Sequence, residues 1–142
     1  MGTAYVVSCL LVLILSLQVK HELSPAKAPV IPVASIVSQS FYEGDKVTKV
    51  VKIPVKLKNK TVEALTVKYV ITDITAVMGK DYTANATGLI SFPIGSNSAD
   101  ILVTVNGDEV IGPNKDFKIV ISEFSHGAIE KSEAVITIKN DD

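Results

Sequence analysis

From Val33 onward, apolar and polar residues alternate with a period of two, and turn-forming residues interrupt the alternation every ten or so positions. Val51, Ile53, Val55 and Leu57 alternate with Lys52, Pro54, Lys56 and Lys58. Leu65, Val67, Tyr69 and Ile71 make a second inward-facing set, and Ile101, Val103 and Val105 a third. Phe117, Ile119 and Ile121 repeat the pattern, and Ala134, Ile136 and Ile138 close it. Shorter strands are expected over 33–41 and 89–92, which makes about seven strands in roughly 110 residues. No stretch of this region carries apolar residues at helical spacing. The pattern therefore predicts an all-β fold, a seven-stranded antiparallel immunoglobulin-like β-sandwich. Pro54 cannot donate to a ladder, so its strand is expected at a sheet edge or with a bulge. Turns are expected at Lys58-Asn59-Lys60, at Phe92-Pro93-Ile94-Gly95, and at Asn106-Gly107-Asp108, the last as a tight bend with positive φ.

The N-terminus follows a different pattern. Residues 4–17 (AYVVSCLLVLILSL) carry no charge. The run is short for a spanning helix, which needs about 20 residues, and suits the core of a secretory signal. Lys20 and Lys27 follow it, a placement that by the positive-inside rule disfavours moving the C-terminal part across the membrane, and an uncleaved anchor is the alternative to a cleaved signal. Residues 1–18 are thus a signal peptide or membrane anchor. Residues 19–32 are a proline-rich extended linker, and 33–142 the sandwich domain. The domain is expected to be secreted, or anchored in the membrane with the sandwich outside. Membrane association, where it occurs, runs through the N-terminal segment.

Composition narrows the function. Of 142 residues, 47% are hydrophobic, enough for one packed core, and the formal net charge is -1. The lysines of 46–60 are interleaved with apolar residues and read as the wet face of a strand. No basic stripe is present of the kind nucleic-acid binding requires. The single cysteine, Cys9, lies in the apolar run, so the sandwich has no disulfide, thiolate metal site or cysteine nucleophile. The two histidines, His21 in the linker and His126 in a Ser-His-Gly turn, are framed by no nucleophile elbow. No enzymatic constellation is visible. Tyr82 and Phe92 are expected in the core, because aromatic residues are only 6% of the chain. Asn59-Lys60-Thr61 and Asn85-Ala86-Thr87 are acceptor sequences for N-glycosylation in expected loops, at Asn59 and Asn85.

A series of short motifs points further. Tyr42-Glu43-Gly44-Asp45 resembles the opening Glu-Gly-Asp of a Calx-β domain. Gly79-Lys80-Asp81-Tyr82-Thr83-Ala84 is similar to that family's G-x-D-Y-x-x element. The stretch Gly88-Leu89-Ile90-Ser91-Phe92-Pro93-Ile94-Gly95, followed by Ile101, Val103 and Val105, follows its G-x-L-x-F-x-x-G-x(5)-I-x-V-x-V run. Gly107-Asp108, Phe117 and the terminal Ile136-Thr137-Ile138-Lys139-Asn140-Asp141-Asp142 complete the series, in order, over 33–142. Each motif alone is weak, and the signal lies in their shared register. The resemblance implies a non-catalytic module of cell communication or adhesion. It also implies Ca²⁺ held by loops at one end, with Glu43, Asp81, Asp108, Asp141 and Asp142 as ligands. As partners it implies another protein or neighbouring Calx-β repeats, and no nucleic acid.

The residues themselves are consistent with a hard cation, which takes six to eight oxygens. Without the resemblance, these five acids are ordinary solvated loop residues. The chain departs from the family pattern where an acidic E-P-D-E run is usual and Gly112-Pro113-Asn114-Lys115 stands here. The terminal D-D-D is softened to Asn140-Asp141-Asp142. Fewer ligand charges lower affinity, and a lysine beside a cation repels it. The expectation is one weak calcium site, built from Glu43, Asp81, Asp108 and Asp141. The alternative is a calcium-independent structural spacer or interaction domain of a larger secreted or membrane protein.

Overall fold

The computed structural model describes residues 28–142; the signal or anchor segment, Cys9, His21 and most of the linker lie outside it. The described residues contain ten strands and no helix. The strands are β1 (Val33–Ile36), β2 (Gln39–Tyr42), β3 (Thr48–Leu57), β4 (Leu65–Asp73), β5 (Tyr82–Thr83), β6 (Thr87–Phe92), β7 (Ser98–Asn106), β8 (Lys115–Ser122), β9 (Ala128–Lys131) and β10 (Glu133–Lys139). They form two five-stranded sheets, ordered β5-β7-β3-β1-β9 and β2-β10-β8-β4-β6. The alternating positions read from the sequence face inward between the sheets. Ile53, Val55, Val67, Val105, Phe117, Ile119 and Ile136 are fully buried there.

The all-β sandwich is as expected, with ten strands in place of seven. The segment expected as one strand over 33–41 is two. β1 pairs with β3 in one sheet, and β2 pairs with β10 in the other. Ser38 lies at the crossing, where its hydroxyl accepts the Val135 N–H at 3.0 Å. Inward residues before the crossing are Ala34 and Ile36, while Phe41 packs against the core after it. Alternation that changes parity in this way marks a chain that has changed sheet. The sandwich is also not wholly antiparallel, because β1 runs parallel to β9 and β2 parallel to β10.

Pro54 corrects a second expectation. β3 is internal, flanked by β7 and β1. The Leu57 N–H donates to Asn97 O on the β7 side, and the Lys58 N–H donates to Val33 O on the β1 side. By alternation, the Pro54 nitrogen faces the β1 side. There β1 has already ended, its last residue Ile36 pairing with Val55. The missing donor is therefore placed where no ladder partner exists.

Two turns behave differently from each other. Ser96 N–H donates to Pro93 O with Gly95 at φ 81, a turn that requires the left-handed conformation at its third residue. Gly107 has no positive φ, contrary to expectation; it is required by a close approach described below.

The strand directions sort the loops into two poles. Segments 43–47, 74–81, 107–114 and 140–142 gather at one pole, where β2, β4, β7 and β10 end and β3 and β8 begin.

Candidate metal centre

Each site residue is delivered by a strand end. Glu43 directly follows β2, and its N–H donates to Lys139 O, which continues the β2–β10 ladder by one residue. Asp108 follows β7, and Asp142 lies just beyond β10. The carboxylates of Glu43, Asp108 and Asp142 bring one oxygen each to within 4.8 Å of one another. Oxygens on opposite sides of a calcium ion stand about 4.8 Å apart, because each bond is about 2.4 Å. The spacing and the all-oxygen chemistry therefore fit a hard divalent cation. Glu43 is buried, Asp108 half-buried and Asp142 exposed, so the cluster opens to solvent on one side.

The surroundings hold these groups in place. The Asn140 side-chain amide donates to Glu43 Oε1 at 2.6 Å and to Val110 O at 2.8 Å, tying the buried carboxylate to the 107–114 loop. The Asn140 N–H in turn donates to Asn114 Oδ1 at 3.1 Å. Asp141 joins from the side, where its Oδ1 accepts the Gly44 N–H at 3.1 Å. Gly107 packs directly on the 43–47 loop. A Cβ there would sit 1.9 Å from Gly44 O and 2.9 Å from Glu43 O. Contact this close between two backbones leaves no room for a Cβ unless the loops move apart.

The electrostatics of the cluster favour a cation. Burial, then the negative field of Asp108, push the Glu43 carboxyl above its ordinary value; Lys115 pulls the other way, and Asp142 and Asp141 add weaker upward pushes. Asp142 is raised as well, through desolvation and then the charges of Asp45 and Asp141. Carboxylates crowded in this way are relieved by a bound positive charge.

Asp81 is diverted from this group. It reaches the same pole at the end of the 74–81 loop, and only 6% of its surface is exposed. Its Oδ2 accepts the Val77 N–H at 2.7 Å, and its Oδ1 accepts the Lys115 ammonium at 2.5 Å. Burial pushes the Asp81 carboxyl up, but the bonds from Lys115 and Val77 outweigh it and hold the group below its ordinary value. Lys115 is correspondingly raised, first by its bond to Asp81. All five acids expected as ligands thus lie at one pole. Glu43, Asp108 and Asp142 converge, Asp141 is adjacent, and Asp81 is engaged by a lysine.

Sequence reasoning did not find Asn140 as a bracket for Glu43, nor the packing role of Gly107. It read Lys115 as a positive charge beside the acids, and the ammonium is bound to Asp81 while its field also reaches Glu43 and Asp108. The remaining residues fall as expected. Tyr82 and Phe92 are fully buried, and Tyr82 stacks on Phe117 with ring centroids 4.3 Å apart. His126 is exposed in its turn, 3.9 Å from Glu63. Asn59 and Asn85 are both exposed, between β3 and β4 and between β5 and β6.

Comparisons with known proteins agree with this architecture. A family model described as the Calx-beta domain matches residues 31–142. The crystal structure of the apo-form Calx CBD1 domain is 22% identical, with a TM-score of 0.66, covering 80% of this chain and 100% of that one. The Calx CBD2 domain is 15% identical, with a TM-score of 0.66, over 77% of this chain and 86% of that one. CBD12 from CALX1.2 is 22% identical at a TM-score of 0.65, and the match covers 78% of this chain and 44% of that longer one. No curated protein matches the chain.

Proposed function

The chain belongs to the Calx-beta domain family, and on that footing we propose that it is a non-catalytic module of cell communication or adhesion that holds a single calcium ion. The observation that carries this reading is the convergence of Glu43, Asp108 and Asp142 within 4.8 Å, from three separate strand ends. Asp141 lies beside them and supplies further negative charge at the same pole. Calcium would supply the positive charge that these carboxylates lack, and would fix 43–47, 107–114 and 140–142 relative to one another.

Three clustered carboxylates, one of them exposed, suit the weak end of calcium affinities, at Kd of about 10⁻⁴–10⁻³ M. Such a site fills in an extracellular compartment. This supports an exported domain, either secreted or held by the N-terminal segment with the sandwich outside. The partner is another protein or a neighbouring repeat, docked where calcium has stiffened the loops. The second reading, a calcium-independent spacer, is favoured by the Asp81–Lys115 bridge, which satisfies one expected ligand without any ion.

Thermal unfolding separates the two. With about 10 mM calcium in place of chelator, a Kd in this range raises stability by about 1.4–2.7 kcal/mol, or several degrees in melting temperature. Glu43→Gln is expected to abolish that rise. An unchanged wild-type melt would leave the spacer reading standing.

A further inference from the structure

Each sheet has two edges, and three of the four are short or guarded. β5 has two residues. β9 has four, carries Glu130 and Lys131, and its register with β1 shifts between Ala34 and Ser35. β2 also has four, and on its open side the Lys49 ammonium donates to Tyr42 O at 3.3 Å. Short length, charge and bulges each keep a foreign strand from adding to an edge. β6 has none of these devices. It runs six residues with no charge, no proline and an unbroken register against β4. The Ile71 N–H donates to Ala86 O, so by alternation 86, 88, 90 and 92 bond towards β4. The N–H and C=O groups of Thr87, Leu89 and Ser91 therefore point out of the open edge. Their side chains are exposed on the outer face of the sheet, Leu89 at 66%.

We propose that β6 is a dimerisation edge: a second copy of this chain lays its own β6 antiparallel against it, about a twofold axis at Leu89, and joins the two five-stranded sheets into one. The contact uses none of the pole segments and does not depend on calcium.

The strand is complementary to itself. In that register Leu89 faces the second copy's Leu89 and Thr87 faces its Ser91, and each facing pair exchanges two hydrogen bonds, about six in all. On the outer face the two leucines meet at the axis, flanked by the small side chains of Thr87 and Ser91. On the inner face Ile90 of each copy stands opposite Gly88 of the other, a large side chain against an absent one. The Tyr69 ring lies over Gly88, where a Cβ would stand 2.7 Å from its hydroxyl, and gives that isoleucine an apolar surface to pack on. Charge does not oppose the pairing. Lys68, opposite Leu89 on β4, is held by Glu123 at 3.4 Å. The two copies of Lys68 would stand three strand spacings apart, about 14 Å, beyond the screening length. Leu89 also lies diagonal to Val70, which pairs with Val120, so an outer apolar stripe would run on from one copy into the other. A strand from another protein would meet the same free groups, but the self-complementary register favours a copy.

Sedimentation velocity on the full chain in chelator is the test. The dimer fraction is expected to rise with concentration between about 10 µM and 1 mM, as suits a contact smaller than a standard interface. Leu89→Glu sets two carboxylates within about 5.5 Å of one another across the axis and should weaken association at least about tenfold. Leu102→Glu changes a leucine of similar exposure, 57%, on the opposite sheet and should leave association unchanged. The difference between these variants separates β6 pairing from any association through the N-terminal segment. Cysteines introduced in a Cys9→Ser background report the register. Leu89→Cys should cross-link to a copy of itself, because facing Cα atoms of a hydrogen-bonded antiparallel pair lie about 5.5 Å apart. Thr87→Cys should cross-link to Ser91→Cys when the two are mixed, and neither to itself. A chain that stays monomeric at about 1 mM overturns the proposal and leaves the edge to a strand of another protein or to solvent. Association that persists undiminished in Leu89→Glu, or Thr87→Cys cross-linked to itself, overturns it as well.

Discussion

Gly107→Ala offers a sharp test of how the pole is built. The new Cβ would sit 1.9 Å from Gly44 O, 2.8 Å from Gly44 C and 2.9 Å from Glu43 O. All three are backbone atoms, so no rotamer change relieves the contact. Reaching an ordinary separation of 3.4 Å requires the two loops to part by about 1.5 Å. Three hydrogen bonds resist that movement: Glu43 N–H to Lys139 O, Gly44 N–H to Asp141 Oδ1, and Gly107 N–H to Val47 O. Because Gly107 has no positive φ, alanine adds no backbone strain of its own, and the whole cost comes from the clash. Overpacking of this kind costs about 1–3 kcal/mol. A shift of that size also carries the Glu43 carboxylate out of calcium bonding distance, because the permitted range of bond lengths is only about 0.3 Å wide. Loss of that ligand should weaken calcium binding by at least about tenfold, or ~1.4 kcal/mol. Gly112→Ala is the control, since its Cβ would meet only Val110 O at 3.8 Å and should change stability by less than about 0.5 kcal/mol. Urea denaturation in chelator gives the stability difference, and calcium titration of both variants gives the affinity. If Gly107→Ala matched Gly112→Ala in both, the packing of 107 on 43–44 would not position the site.

Two further outcomes follow from the same geometry. Tyr82→Phe removes the hydroxyl that donates to Asp73, while Asp73 keeps its bonds from the Met78 N–H; a loss of about 1–2 kcal/mol is expected in denaturant melts, with the calcium response retained. The pH dependence of stability in chelator should have two opposed parts in acid. The Glu43 pKa is raised in the fold, so ionised Glu43 disfavours folding, and stability should rise as pH falls through the range just above 4.5. The Asp81 pKa is lowered, so its contribution is complete above 3.8 and is lost as pH falls below that. Lys115 is raised above 10.5, and its contribution is complete below 10.5 and lost as pH rises beyond it. Melts across pH on wild type and Glu43→Gln check the signs: the variant should show a smaller mild acid rise, since Asp142 is raised as well, and keep the loss at lower pH.

The sandwich was legible because its inward positions carry almost nothing but Val, Ile, Leu, Phe and Tyr at strict alternation. The crossing between β1 and β2 was present as a parity change between Ile36 and Phe41. A short strand masks such a change, because either parity fits three or four residues. The position of Pro54 depended on where a different strand ends, which no local pattern reports. The acidic pole was legible only through the shared register of the motifs, since Glu43 and Asp142 are joined by topology and not by spacing. The capture of Asp81 by Lys115 spans 34 positions and depends on which way one side chain leans at a strand end. Sequence alone showed that lysine as a positive charge beside the acids, but not that it pairs with Asp81. Gly107 was read for its conformational freedom, but its missing side chain is what the fold requires.

The most direct measurement is an anomalous difference map from crystals grown in calcium. The account predicts one peak, at about 2.3–2.6 Å from oxygens of Glu43, Asp108 and Asp142, with the Lys115 ammonium still on Asp81. No peak at saturating calcium, or a peak on Asp81 with Lys115 swung away, would contradict it.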